Sequence, residues 1–372
     1  MNPITVTSPL LPPLDELIPY LEDIWQRKWL TNNGHYHQQL EKELCEYLGV
    51  EHICLFSNGT LALITALQAL ELKGEVITTP YSFVATSHAI MLNKLTPVFV
   101  DIDPNTFNLD PKKIEEAITD KTSAILPVHV YGNPCDHDAI QKIADKHNLK
   151  VIYDAAHAFG VTKDGTSILN WGDLSILSFH ATKAYSTIEG GAIICHTPEM
   201  KSKLDKLKNF GYESETQISM LGSNAKMNEI QAAFGLATLK HVKDAINKRA
   251  DIADVYRKEI SKIKGLSLPA TIDCVNANNS YFPILVSENE YGMSRDQLYF
   301  KLRDNNILSR RYFYPLITEF EFYKKNANII IHDISISKQI SDNVICLPIH
   351  QGMSLSDIEI VVFSLKKQSC KL

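Results

Sequence analysis

The sequence predicts an α/β fold with a mostly parallel central sheet and helices on both faces, followed by a smaller C-terminal α+β domain. From about residue 50 to 195, short β-branched runs alternate with helical patterns, which is typical of parallel strands joined by crossover helices. After Gly222 the pattern changes to longer amphipathic helices. We therefore divide the chain into a large domain, residues 1–245, and a small domain, residues 246–372.

The strands predicted for the large domain are short runs of four to six mainly apolar residues. They are His52–Phe56, Glu75–Thr78, Pro97–Val100, Ser123–Val128, Lys150–Tyr153, Leu174–Ser178 and Ala192–Cys195. Between the first two, residues Thr60–Leu72 are apolar nearly all round. That composition suits a helix buried against such a sheet.

The second half of the chain is predicted to begin with two amphipathic helices, Met227–His241 and Val242–Ile263, of which the second is ended by Gly265. The alternative is one long helix that carries the domain boundary, near residues 240–265. Strands and helices then mix up to the C-terminus. They are Tyr281–Val286, Ser294–Asn305, Ile345–Pro348 and Leu355–Lys367.

Composition excludes several classes of protein. Lys and Arg number 37 against 43 Asp and Glu, a net charge of -6, so there is no basic field for nucleic acid. The seven cysteines form no C-x-x-C pair, which favours a reducing cytoplasm over disulfides or a zinc site. No apolar run approaches the ~18 residues that cross a membrane. We expect a cytoplasmic protein with no metal site and no nucleic-acid or membrane partner.

The motifs of several common enzyme classes are missing from the sequence. It contains no G-x-G-x-x-G, no G-x-x-x-x-G-K-[ST], no H-E-x-x-H and no Tyr-x-x-x-Lys pair. Nicotinamide, P-loop and zinc-protease chemistry are therefore disfavoured.

Polar residues instead follow several predicted strands, at the sheet edge where open α/β sheets bind ligands. Ser57–Thr60 leads from a strand into a helix, and its glycine and helix N-terminus suit an anion; a plain helix cap explains it equally well. Asp154 directly follows an apolar strand, where its carboxylate needs a cationic partner such as a pyridinium nitrogen. His157 could donate to an oxygen of the same ring. For Asp154 the alternative role is a helix cap, and for His157 it is a core histidine.

Two further segments complete this group. Lys183 follows the strand ending at Ser178, and desolvation there would make its amine a nucleophile and base. Phe83 lies in the segment Thr79–Thr86, at the mouth of the same sheet, where an aromatic ring can stack on a flat cofactor. For Lys183 the alternative is an ordinary surface lysine, and for Phe83 it is packing in the core.

In order and spacing, these segments resemble the DegT/DnrJ/EryC1/StrS group of sugar-nucleotide aminotransferases. The matching motifs run from Trp29–Gly34 to Leu347–His350 and so cover nearly the whole chain. The resemblance implies the type I fold of pyridoxal 5′-phosphate (PLP)-dependent transferases. It also implies a homodimer with shared active sites.

The resemblance also assigns roles by position. Lys183 corresponds to the lysine that binds PLP covalently, Asp154 to the partner of the pyridine nitrogen, and His157 to a residue beside the ring oxygen. Other positions correspond to cofactor contacts: Phe83 to the stacking aromatic, Gly59, Thr60 and Ser178 to phosphate-binding residues, and Asn224 to an asparagine that reaches the cofactor phosphate of the neighbouring subunit.

The substrate contacts are less closely defined by the motifs. His180, three residues before the lysine, is a candidate for contact with the sugar or for proton transfer, or else a structural residue. Arg310, Arg311 and Tyr314 belong to an Arg- and aromatic-rich loop suited to pyrophosphate or carboxylate groups; a basic surface pair is the alternative. Asn32 and Asn33 are candidate sugar or nucleotide contacts.

The sequence around Lys183 resembles that of the family branch that aminates C4 of nucleotide-linked 4-keto-6-deoxy sugars. It implies transfer of the amino group of L-glutamate to dTDP-4-dehydro-6-deoxy-D-glucose, giving dTDP-4-amino-4,6-dideoxy-D-glucose for the O-antigen of lipopolysaccharide. The alternatives are a 3-keto or differently configured sugar, and a non-catalytic binding or regulatory protein of the same fold.

Overall fold

The computed structural model describes residues 3–366 and contains a central eight-stranded sheet. Its strands lie in the order Ile330–Ile331, Thr96–Phe99, Glu75–Thr78, Thr122–Ile125, Lys150–Asp154, Leu174–Ser178, Gly191–Cys195 and His52–Phe56. All neighbours are parallel except Gly191–Cys195, which runs antiparallel to both strands beside it. The mostly parallel sheet predicted from the sequence is confirmed.

Helices cover both faces of this sheet. Ile53 and Leu55 pack into one hydrophobic core, whereas their neighbours Cys54 and Phe56 pack into another. Successive side chains of a strand point to opposite faces, so the two cores lie on opposite sides of the sheet. The helices of the molecule are Leu14–Arg27, His35–Leu48, Gly59–Ala69, Val84–Leu92, Pro111–Ile114, His137–His147, Pro198–Leu207, Glu229–Ile260, Glu288–Tyr291, Arg295–Asp304, Glu321–Lys324, Ser335–Asn343 and Leu355–Lys366.

A single helix spans Glu229–Ile260, so the predicted division at His241 was wrong and the alternative of one long helix is confirmed. It begins with a capping box between Asn228 and Gln231, and no glycine or proline follows His241 to interrupt its backbone hydrogen bonds. Its first half packs into the core of the large sheet and its second half into a separate core. The predicted domain boundary at residues 245/246 falls inside this helix and stays a prediction.

The C-terminal part has its own antiparallel sheet, formed by Leu266–Ser267, Phe282–Val286 and Val344–Leu347. Helices Arg295–Asp304 and Leu355–Lys366 pack on it. One strand from this part, Ile330–Ile331, joins the edge of the large sheet instead. Residues 367–372, the end of the predicted small domain, lie outside the described residues.

The remaining strands form short pairings at the periphery. They are Ile4–Thr5 with Ile307–Leu308, Tyr212–Ser214 with Gln217–Ile218, and Val275–Asn276 with Thr162–Lys163 and Thr166–Ser167. Among residues 3–366, no helix combines the length and the apolar character needed to cross a bilayer.

Candidate active site

A cavity of about 460 Å³ opens at the carboxyl ends of the parallel strands. It is the edge at which the strands ending at Phe56, Asp154 and Ser178 deliver their following residues. Nine of the residues singled out from the sequence line it: Gly59, Thr60, Phe83, Asp154, His157, Ser178, His180, Lys183 and Arg310. The fold therefore brings together residues that are up to 251 positions apart in the chain.

Asp154 is a buried carboxylate held by two hydrogen bonds. It is the last residue of its strand and is 4% exposed. Its Oδ2 accepts from the Thr86 hydroxyl at 2.7 Å, and its Oδ1 accepts from the Ala156 backbone N–H at 3.1 Å. Burial raises the pKa of Asp154, and these two hydrogen bonds oppose that rise.

His157 is a buried histidine whose protonation is set by its neighbours. Its Nδ1 accepts from the backbone N–H of Tyr131 at 3.2 Å, so the proton of the neutral ring lies on Nε2. Burial, followed by the charge of Lys183, lowers the pKa of His157 well below its ordinary value. The residue is thus a neutral Nε2–H donor at the cavity.

Lys183 places a partly buried amine in the same cavity. Its Nζ lies 3.5 Å from the hydroxyl of Tyr281 and 6.0 Å from the centre of that ring. Burial lowers the pKa of Lys183 to about 8, although the charge of Asp154 acts in the opposite direction. The unprotonated fraction of this amine near neutral pH is therefore larger than in an ordinary lysine, which favours its action as a nucleophile or base.

The start of helix Gly59–Ala69 forms an anion-binding geometry. The Asn58 side chain caps this helix by accepting from the Leu61 backbone N–H at 2.9 Å, so part of the capping alternative is realised. The earlier N–H groups, at Gly59 and Thr60, precede the first intrahelical donor. A side chain at Gly59 would place its Cβ 2.9 Å from the Ser178 Cβ, so only glycine fits beside Ser178.

Phe83 and His180 lie at more open positions of the cavity. The Phe83 ring is 62% exposed despite its apolar character, which leaves it free to cover a flat ligand. His180 Nδ1 accepts from the Thr182 backbone N–H at 3.3 Å, and its Nε2 lies 3.5 Å from a Glu189 carboxylate oxygen. Contacts at both ring nitrogens thus fix the orientation of the His180 ring.

The two arginines of the aromatic loop have different surroundings. Arg310 is exposed, lines the cavity and lies 5.2 Å above the Tyr312 ring. Arg311 instead pairs with Asp296 at 2.9 Å and lies 5.1 Å above the Tyr314 ring. Neither Arg311 nor Tyr314 lines the cavity of its own chain, and their substrate role stays a prediction.

Three other predicted contacts lie outside this cavity. Asn32 and Asn33 occupy an exposed turn before helix His35–Leu48, both with positive φ. Asn224 is exposed and makes a backbone bridge with Asn209. The roles predicted for these three residues stay predictions.

The structure adds site residues that the sequence did not single out. Thr86 bonds to Asp154, Tyr281 lies beside Lys183, and the Phe313 ring lies parallel to the His157 ring with centroids 5.8 Å apart. Thr86 was inside a segment we had noted, so its hydroxyl was a usable signal. Phe313 lies inside the aromatic loop of Arg310 and Arg311 that we had also noted, whereas Tyr281 begins a predicted strand and had no functional motif.

One group of metal-ligand side chains lies away from this cavity. Ligand atoms of Glu41, Cys54 and Asp205 lie within 4.8 Å of one another. Lys201 contacts Glu41 at 3.1 Å, and Lys208 contacts Asp205 at 2.8 Å. Because the two ammonium groups already neutralise these carboxylates, the cluster is explained as a partly buried ion-pair network.

The cavity's residues fit PLP. They supply a buried carboxylate for a protonated ring nitrogen, a neutral histidine donor for the ring oxygen, and an amine of lowered pKa. The glycine-containing helix start with Ser178 suits the phosphate.

Comparison with known proteins agrees with this chemistry. The model of the DegT/DnrJ/EryC1/StrS aminotransferase family matches residues 14–366. A Shigella dysenteriae protein named dTDP-4-amino-4,6-dideoxy-D-glucose transaminase is 56% identical over 366 residues, 98% of this chain and 99% of that protein. An Escherichia coli protein of the same name is 53% identical over 353 residues, 94% of this chain and 95% of its own length.

Solved structures have the same architecture. The structure of DesI in the presence of its TDP-sugar product superposes with a TM-score of 0.94 at 32% identity, covering 100% of this chain and 94% of that one. PseC from Helicobacter pylori, an aminotransferase of pseudoaminic acid biosynthesis, gives a TM-score of 0.91 at 27% identity over the full length of both chains. The chain belongs to the DegT/DnrJ/EryC1/StrS aminotransferase family.

Proposed function

We propose that this protein is a PLP-dependent transaminase that moves the amino group of L-glutamate to C4 of dTDP-4-dehydro-6-deoxy-D-glucose. The product would be dTDP-4-amino-4,6-dideoxy-D-glucose, a precursor for the O-antigen of lipopolysaccharide. The observation that carries the proposal is a single cavity joining Asp154 and the low-pKa amine of Lys183. The named relatives at 56% and 53% identity support the choice of sugar.

The cavity residues divide the work of the reaction. When bound, PLP supplies a ring that withdraws electrons from the carbon attached to the transferred nitrogen. Asp154 would keep the ring nitrogen protonated, and His157 would donate its Nε2–H to the ring oxygen. Lys183 would remove a proton from the α-carbon of the amino-group donor and return a proton to the second substrate. Such acid–base help contributes roughly 10²–10⁴-fold in rate.

Anionic substrates must be held by local groups, because the chain carries a net charge of -6. Arg310 supplies a guanidinium at the cavity, suited to the glutamate carboxylate or the nucleotide pyrophosphate. Arg311, Tyr314, Asn32 and Asn33 are proposed substrate contacts at its periphery. His180 is proposed to contact the sugar or to assist proton transfer.

The proposed homodimer would complete the site. Asn224 is exposed and lies outside the cavity of its own chain, which supports a role at the partner's cofactor phosphate. Trp25 and Trp29 are 66% and 56% exposed, and large exposed apolar groups of this kind commonly mark interfaces.

The cofactor assignment is tested by absorbance. Purified protein with PLP should show a visible to near-ultraviolet band that is lost in Lys183→Ala. Lys240→Ala, at an exposed lysine far along the chain, is the matched control and should keep the band. An unchanged spectrum in Lys183→Ala would refute the assignment.

The substrate assignment is tested by product analysis. Incubation with glutamate and dTDP-4-dehydro-6-deoxy-D-glucose should yield 2-oxoglutarate and a sugar with nitrogen on C4, located by NMR. Nitrogen on C3, or another configuration, would assign the enzyme to a different nucleotide sugar. Cofactor binding without product from any keto sugar would favour the non-catalytic alternative.

The shared site is tested by subunit complementation. Lys183→Ala and Asn224→Ala homodimers should each have low activity. Mixed dimers of the two variants should regain up to half of the native activity. In the mixed dimer one site has both an intact lysine and an intact asparagine only if Asn224 acts across the interface. No recovery after verified subunit exchange would place Asn224 elsewhere.

A further inference from the structure

A chain of two hydroxyls leads to the carboxylate of Asp154. Thr86 Oγ1 lies 2.7 Å from Asp154 Oδ2, and Ser82 Oγ lies 2.8 Å from Thr86 Oγ1. Thr86 is 1% exposed and Ser82 is 6% exposed. Ser82 also lines the cavity, whereas Thr86 lies behind it in helix Val84–Leu92.

The direction of these hydrogen bonds follows from the donor inventory. An ionised carboxylate only accepts, so the single hydroxyl proton of Thr86 must be donated to Asp154. The oxygen of Thr86 is then left to accept the proton of Ser82. The order of donation is therefore Ser82 to Thr86 to Asp154.

We propose that Thr86 is a positioning residue that keeps Asp154 ionised and fixes the direction of its carboxylate toward the cofactor ring, with Ser82 strengthening the Thr86 donor. This inference rests on the proposed PLP-dependent function. It assigns roles to two residues that do not themselves perform the chemistry at the reacting carbon.

The need for such a residue follows from the burial of Asp154. Burial favours the neutral acid, and a neutral Asp154 would not stabilise a protonated ring nitrogen. No arginine or lysine pairs with Asp154 among the ion pairs of residues 3–366; the charge of Lys183 acts on it only at longer range. Hydrogen bonds from Thr86 and Ala156 are thus its direct support.

An ordinary helical role for Thr86 would look different. Threonine hydroxyls inside helices often bond to the backbone carbonyl one turn earlier. Within the described part of the chain, the Thr86 hydroxyl bonds to Asp154 and Ser82 and to no backbone carbonyl. Its bond to Asp154 joins residues 68 positions apart, so it links helix Val84–Leu92 to the end of a sheet strand.

The test compares Thr86→Val with Thr86→Ser. Valine keeps the shape of threonine but removes the donor, whereas serine keeps the hydroxyl. PLP is titrated into apo-protein and its Kd is read from absorbance. Loss of a hydrogen bond to a charged group predicts about ten- to hundredfold weaker PLP binding in Thr86→Val, and Thr86→Ser should keep the native value within the error of the titration.

A pH profile separates this role from a general packing defect. Without the Thr86 donor the pKa of Asp154 rises, so PLP affinity should be lost at a higher pH as the solution is acidified. A double-mutant cycle with Asp154→Asn gives the second readout: Thr86→Val should add little in that background, because the carboxylate is already absent.

The inference is overturned if Thr86→Val keeps the native Kd and pH profile, or if its effect is undiminished in the Asp154→Asn background. If Thr86→Val does not fold, Ser82→Ala decides: about threefold weaker binding supports the inference, and native binding overturns it. Failure of the wild-type protein to bind PLP would instead refute the proposed function.

Discussion

Glu229 provides a sharp test of how the fold builds the loop before helix His35–Leu48. It is the first residue of the long helix and is 2% exposed. Its carboxylate oxygens accept from the backbone N–H groups of Tyr36 and His37, each at 2.9 Å. The N-cap residue of helix His35–Leu48 is Gly34, which has no side chain to cap it. Glu229 therefore caps that helix in place of a local side chain, although it lies far from the helix in the sequence.

The magnitude follows from these two bonds. Hydrogen bonds to a charged group contribute about 1.5–3 kcal/mol each, so Glu229→Ala should lower the free energy of unfolding by about 3–6 kcal/mol. Glu229→Gln keeps one acceptor oxygen for two donors and should lose about half as much. A side chain at position 34 could not cap the helix beside Glu229, because its Cβ would lie 2.4 Å from the Glu229 Cδ.

Urea unfolding followed by circular dichroism measures this loss at a constant slope with denaturant. Glu22→Ala, at an exposed position of helix Leu14–Arg27, is the control and should change the stability by no more than about 0.5 kcal/mol. A loss below about 1 kcal/mol in Glu229→Ala would refute the capping argument. If Asn32 and Asn33 contact substrate, Glu229→Gln should also raise KM for the sugar nucleotide, since their turn precedes the capped helix.

Three further outcomes follow from the site. Because the pKa of Lys183 is lowered to about 8, its amine in apo-protein should reach half its maximal rate of acetic anhydride labelling near pH 8, measured by mass spectrometry; a midpoint near that of surface lysines would contradict the burial argument. Gly59→Ala should weaken PLP binding by at least about tenfold, because its Cβ would lie 2.9 Å from the Ser178 Cβ; native affinity in a titration would show that the helix start tolerates a side chain. Arg310→Ala should raise KM for glutamate or for the sugar nucleotide about tenfold while leaving the unfolding midpoint unchanged; unaltered KM values for both would remove Arg310 from the substrate site.

The parallel sheet and the cofactor-side residues were predictable because their signals are local. Strands such as His52–Phe56 and Leu174–Ser178 match the predicted bounds, since short apolar runs between helical patterns have few other stable arrangements. Asp154 and Lys183 follow such strands and reach the same cavity, as the shared carboxyl edge of parallel strands requires.

Other features depended on contacts that no local pattern encodes. The sequence left open whether residues 227–263 form two helices or one, because the helix Glu229–Ile260 changes its packing partner midway, from the large core to the small one. Strand Ile330–Ile331 was missed because its two residues gain their place by pairing with Thr96–Phe99 of the large sheet. Pairing between segments far apart in the chain leaves no periodic pattern of apolar residues from which it could be predicted.

By itself the sequence determined the fold class, the family and the edge of the sheet at which the chemistry takes place, because strand pattern and motif order are properties of neighbouring residues. Only the tertiary structure decided how these groups are tuned. The Thr86 donor reaches Asp154 across 68 residues, Tyr281 lies beside Lys183 across 98, and the backbone N–H of Tyr131 sets the tautomer of His157. Hydrogen-bond geometry and desolvation depend on positions within tenths of an ångström, and those arise only when sheet, helices and the C-terminal part pack together.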